Sequence, residues 1–71
     1  MVYTYDKLRG RIVEKFGSQS KFAEFIGVSE VTVSKKMNGK VQFDQDDIVL
    51  WCDALDIPIM EAGNYFFAWK V

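Results

Sequence analysis

Glycine marks where most of the helices of this chain must end. Gly17, Gly27, Gly39 and Gly63 interrupt the sequence at short intervals, and a glycine just past a helical stretch can take the left-handed conformation that ends it. Between these stops, apolar residues recur at the three- and four-residue spacing of one helical face. Tyr5, Leu8, Ile12 and Phe16 predict a first helix, capped by Thr4 or Asp6 and ended by Gly17. Ser18 stands where an N-cap belongs, and Phe22, Ala23 and Ile26 give a second helix its buried stripe before Gly27. Ser29 caps a third, with Val33 and Met37 on the inner face and Asn38-Gly39 closing it. Asp44 opens a fourth, in which Asp46 and Asp47 suit the helix dipole and Ile48, Cys52 and Leu55 face the core. Asp56 is expected to cap a short fifth helix over residues 57–62, with Pro58 in its first turn and Gly63-Asn64 ending it. Tyr65 to Trp69 is too short for a decisive period and is open to three readings: a last helical turn, an extended arm or an edge strand. The expected fold is all-α, a compact bundle of about five short helices in a single domain spanning residues 1–71.

A chain of 71 residues must bury an unusually large share of its apolar side chains to stand alone, and 49% hydrophobic content supplies them. Cys52 is the only cysteine and histidine is absent, so neither an intramolecular disulfide nor a zinc-ligand cluster can form. No metal or cofactor is expected, and a reducing, cytoplasmic setting fits. The longest apolar runs fall well short of the roughly 20 residues of a membrane span, and no signal-peptide pattern follows Met1. Adjacent carboxylates such as Asp46 and Asp47 at a helix start serve the dipole far more often than catalysis, and no histidine or nucleophile accompanies them. An enzyme is not expected.

Charge is divided along the chain. Residues 1–43 carry eight cations against four anions, whereas residues 44–71 carry six anions against Lys70 alone. The formal net charge of -1 argues mildly against nucleic-acid binding, but only the first half would face phosphate.

Residues 19–39 have the layout of a helix-turn-helix, with a small residue, Ala23, allowing a close helix crossing and Gly27 making the turn. The run Gln19-Ser-Lys-Phe-Ala23-Glu-Phe-Ile-Gly27-Val-Ser-Glu-Val-Thr-Val33-Ser-Lys-Lys-Met-Asn-Gly39 resembles the lambda-repressor-like (Cro/CI, XRE-type) helix-turn-helix family without insertion. Its Phe16-Gly17 lead-in, Lys36 before Met37 and the short acidic remainder look most like short phage Cro-like proteins. The resemblance implies a phage or prophage regulator that binds double-stranded operator DNA. The alternative to it is an antirepressor of the same fold that grips a phage repressor protein. A toxin–antitoxin or stress regulator on the same fold is a third option.

Helical spacing puts Val31, Ser34, Lys35 and Asn38 on the face opposite Val33 and Met37, free to enter a major groove. There Lys35 could donate to guanine, Asn38 pair with adenine or phosphate, Ser34 make either contact and Val31 pack on a thymine methyl. Glu30 could accept from cytosine or repel phosphate. Gln19 matches the family position that bonds phosphate, and Lys21, Ser29, Lys36 and Lys40 could add backbone contacts. The duller readings are a solvated face for the lysines and capping for Ser18 and Ser29. Tyr65, Phe66, Phe67 and Trp69 should pack on the bundle or meet a partner, and a tail of this kind could supply a homodimer interface.

Overall fold

Three of the four expected glycine stops, Gly17, Gly27 and Gly39, are found where the sequence places them. The computed structural model describes residues 3–68. In it α1 spans Asp6–Phe16, α2 Gln19–Ile26, α3 Glu30–Met37, α4 Gln45–Ala54 and α5 Ala62–Phe66, with a 3-10 turn at Ile59–Glu61 ahead of α5. Gly17, Gly27 and Gly39 all have positive φ. Ser18 Oγ accepts the Lys21 amide at 3.2 Å and Ser29 Oγ the Thr32 amide at 3.1 Å, so both serines are caps. Thr4 Oγ1 accepts from the Asp6 amide at 3.4 Å, although Tyr5 occupies the N-cap position of α1.

Five helices this short cannot each hold together alone, because a helix of fewer than about a dozen residues is marginal in water. Their stability comes from a shared core. Leu8 and Ile12 of α1, Phe22 and Ala23 of α2, and Val33 and Met37 of α3 meet Trp51 and Cys52 of α4 and Phe66 of α5 there. Trp51 lies at its centre. Its ring is 4.8 Å from Phe22, 4.8 Å from Phe43 and 6.3 Å from Phe66, each edge to face. Phe43, in the loop before α4, also meets Tyr5 at 5.5 Å and Phe66 at 5.0 Å. Such contacts add about 0.5–1.5 kcal/mol each beyond simple burial.

The C-terminal third departs from expectation. Residues 57–62 do not form the fifth helix, and Gly63-Asn64 does not end it; both residues lie inside α5, which starts at Ala62. Asp56 is not an N-cap. It follows α4 with φ 54°, the left-handed position of a helix-ending motif in which the Ile57 amide reaches back to the Cys52 carbonyl at 2.9 Å. Glycine is usual there, and an aspartate is tolerated because its short polar side chain can find a local partner. Pro58 then initiates the 3-10 turn. Of the aromatic tail, Tyr65 and Phe66 are helical and Phe67 follows the helix end. Ala68 accepts a backbone hydrogen bond from Thr4 at 2.8 Å, and Trp69 lies outside the described residues.

Replacing Trp51 removes the group on which α2, α4, α5 and the Phe43 loop converge. Trp51→Ala should cost about 3–5 kcal/mol, comparable to the whole stability of so small a domain. The expected result is loss of cooperative unfolding in a urea titration followed by far-UV circular dichroism.

Candidate nucleic-acid and protein interface

The expected reading helix is α3. Val33 and Met37 are buried, and its other side lies open. Glu30, Val31, Ser34, Lys35, Asn38 and Lys40 line one shallow groove there, so the structure brings together all five residues expected to contact bases, joined by Lys40. Val31 is 62% exposed. Asn38 Nδ2 donates to Ser34 Oγ at 3.3 Å, a contact within the helix that either partner could exchange for a ligand. Gln19 opens α2 half-buried, and Lys21 is exposed one turn after the Ser18 cap. The Ser29 hydroxyl is shared between the Thr32 amide and the Thr32 hydroxyl, the latter at 2.9 Å.

Lys36 is the correction. Expected at the DNA backbone, its ammonium instead points inward, 2.6 Å from Asp47 Oδ2 and 3.3 Å from the Gln42 carbonyl, and sits 5.7 Å from the centre of the Phe43 ring. Its side chain is only 11% exposed. The physical reason is the neighbour that sequence spacing did not connect to it. Asp44 and Asp47 form a reciprocal capping box at the start of α4, with the Asp44 carboxylate accepting from the Asp47 amide at 2.7 Å and the Asp47 carboxylate from the Asp44 amide at 3.2 Å. That arrangement fixes a carboxylate against the end of α3, and Lys36 neutralises it.

The remaining ion pairs draw further on the basic half. Arg11 pairs with Glu14 and donates to the Leu55 carbonyl at 2.8 Å and the Asp56 carbonyl at 3.1 Å, and Lys15 pairs with the Asp56 carboxylate. Arg9 pairs with Asp6. Among the described residues Lys7, Lys21, Lys35 and Lys40 are left without a carboxylate partner, Lys7 lying over the Tyr65 ring and the other three beside the unpaired Glu24 and Glu30. The excess of positive charge on the α2–α3 side is therefore small. Elsewhere among the described residues, Asp46, Asp53 and Glu61 are also unpaired.

The sequence matches, over residues 1–69, the family model described as a protein of unknown function, DUF739. The chain belongs to the DUF739 family. No curated protein matches it. The fold of this DUF739 protein is similar to the solution structure of the modulator of repression of the temperate bacteriophage TP901-1 from Lactococcus lactis. The TM-score is 0.86 at 42% identity, over 100% of this chain and 96% of that one. The likeness is thus to a phage regulatory protein along the whole DUF739 chain, without a specific tie to Cro or CI. Among the described residues no helix is long and apolar enough to cross a membrane, and no cluster of three or more potential metal ligands occurs.

The contact between Lys36 and Asp47 has a pH signature. Burial pushes the Asp47 carboxyl up, but the Lys36 ammonium and the Asp44 amide outweigh it and hold the group below the ordinary carboxylate range. A lowered folded value means that the stabilisation is complete above the unfolded value and is lost as pH falls through the folded one. Asp47→Asn should destabilise by about 1–2 kcal/mol at neutral pH. Urea titrations should show wild type and variant converging in acid.

Proposed function

We propose that this protein is a phage modulator of repression that acts by binding a repressor protein, a non-catalytic role played in the cytoplasm. The observation that carries this reading is the inward turn of Lys36, which leaves Lys35 as the one lysine of α3 directed outward, alongside Glu30. Affinity for DNA grows with the number of phosphates neutralised, and such a face neutralises few. Unpaired Asp46, Asp53 and Glu61 favour a cationic protein instead. The full-length similarity to a phage modulator of repression supports the same choice.

A second reading is favoured by one feature, the open row Glu30, Val31, Ser34, Lys35 and Asn38 on α3. In it α2, the Gly27 turn and α3 are a helix-turn-helix of Cro type that reads operator DNA, with Gln19, Lys21, Ser29 and Lys40 at the backbone. Paired half-sites would then call for a homodimer, for which Phe67, 49% exposed, is the described part of the tail on offer.

Fluorescence anisotropy separates the two. The protein is titrated with the repressor from the same phage genome and, in parallel, with promoter and unrelated duplexes over a range of salt. The expected result is a saturable complex with the repressor and a promoter preference far below the ~10³-fold typical of specific readers. Strong promoter preference that Lys35→Ala and Asn38→Ala alter, with no repressor complex, would establish the operator reading instead.

A further inference from the structure

α4 carries a second surface that neither the core nor the α3 groove uses. Asp46, Val49, Leu50 and Asp53 recur at positions three, four and seven residues apart, which places them on one stripe of the helix. Trp51 and Cys52 are buried on the other side. Val49 is 52% and Leu50 43% exposed, so two adjoining aliphatic side chains stand in water between two aspartates. Asp47 and Asp56 have cationic partners, whereas among the described residues Asp46 and Asp53 have none. Asp53 is also ill-placed for stability, because a carboxylate in the last turn of a helix opposes the dipole. Nothing among the described residues accounts for an acid there.

We infer that this stripe of α4 is a docking surface for a cationic amphipathic helix, the DNA-contacting helix of a repressor. The inference rests on the repressor reading above and names the surface and the partner element. The two aspartates lie about 10 Å apart along the axis, with aliphatic contact area between them. A partner helix that carries lysine or arginine about two turns apart, flanking apolar residues, complements this layout in charge and in shape. Phosphate is repelled by it, and a second copy packed isologously would bring four aspartates together. A repressor helix built to meet phosphate has the required charge, and a helix engaged on α4 is withdrawn from the operator.

The test uses the full-length repressor from the same phage genome, with binding read by anisotropy at low and high salt. Asp46→Asn with Asp53→Asn should weaken the complex roughly tenfold at low salt and much less at high salt. Val49→Gln with Leu50→Gln should weaken it by roughly tenfold at both. All four positions are exposed, and far-UV circular dichroism and urea midpoints check that each variant is folded. A complex with wild type that both double variants preserve would overturn the α4 surface and leave the repressor reading intact. Failure of wild type to bind repressor would remove both. A wild-type dimer in analytical ultracentrifugation that Val49→Gln with Leu50→Gln abolishes would overturn the inference in favour of a second copy.

Discussion

The edge-to-face packing of Trp51 against Phe22, Phe43 and Phe66 is the constraint on which the rest of this structure depends. Helices of five to eleven residues have almost no independent stability, so their geometry must be imposed from a common centre. One indole touches an aromatic ring from α2, one from the loop leading into α4 and one from α5. Tyr5 and Phe16 extend the cluster to the two ends of α1 through Phe43 and Phe22. In a core this small, aromatic rings supply the buried area that longer chains draw from many aliphatic residues.

Much of this was legible in the sequence, because the determinants were local. A serine ahead of an apolar stripe and a glycine after it are read from neighbouring residues alone and give α2 and α3, while the Gly17 stop gives the end of α1 and the Asp44 cap the start of α4. The outward row of α3 was equally legible, since helical period alone separates Val31, Ser34, Lys35 and Asn38 from Val33 and Met37. The misreadings fall where a distant partner decides. Asp56 looks like a helix-starting residue until Lys15 and Arg11 of α1 are seen to grip it in a left-handed turn. Gly63 looks like a stop, yet the packing of Ala62 and Phe66 into the core carries the helix through it.

Lys36 is the instructive case for the candidate site. As one of two adjacent lysines near the end of a reading helix, it has a sequence context that suits phosphate. What the sequence does not display is that a second carboxylate, needed for the capping box of α4, would be held within hydrogen-bonding distance of it. A basic half and an acidic half in one small chain need not present two oppositely charged faces. Part of each is spent neutralising the other within the molecule, through Lys36 with Asp47 and Lys15 with Asp56, and what remains is a much smaller residue of charge.

Those internal pairs fall at the two ends of one helix. Asp47 lies in the first turn of α4 and Asp56 just past its last, and each is held by a lysine from another helix, with Arg11 donating to the terminal carbonyls. α4 is thereby pinned like a beam clamped at both supports, and fraying, the usual fate of a ten-residue helix, is suppressed at either end. Any molecule that meets its outer side encounters side chains whose backbone is already ordered. Association there would begin without the entropic penalty of immobilising a loose segment, and differences in affinity would report the side chains themselves.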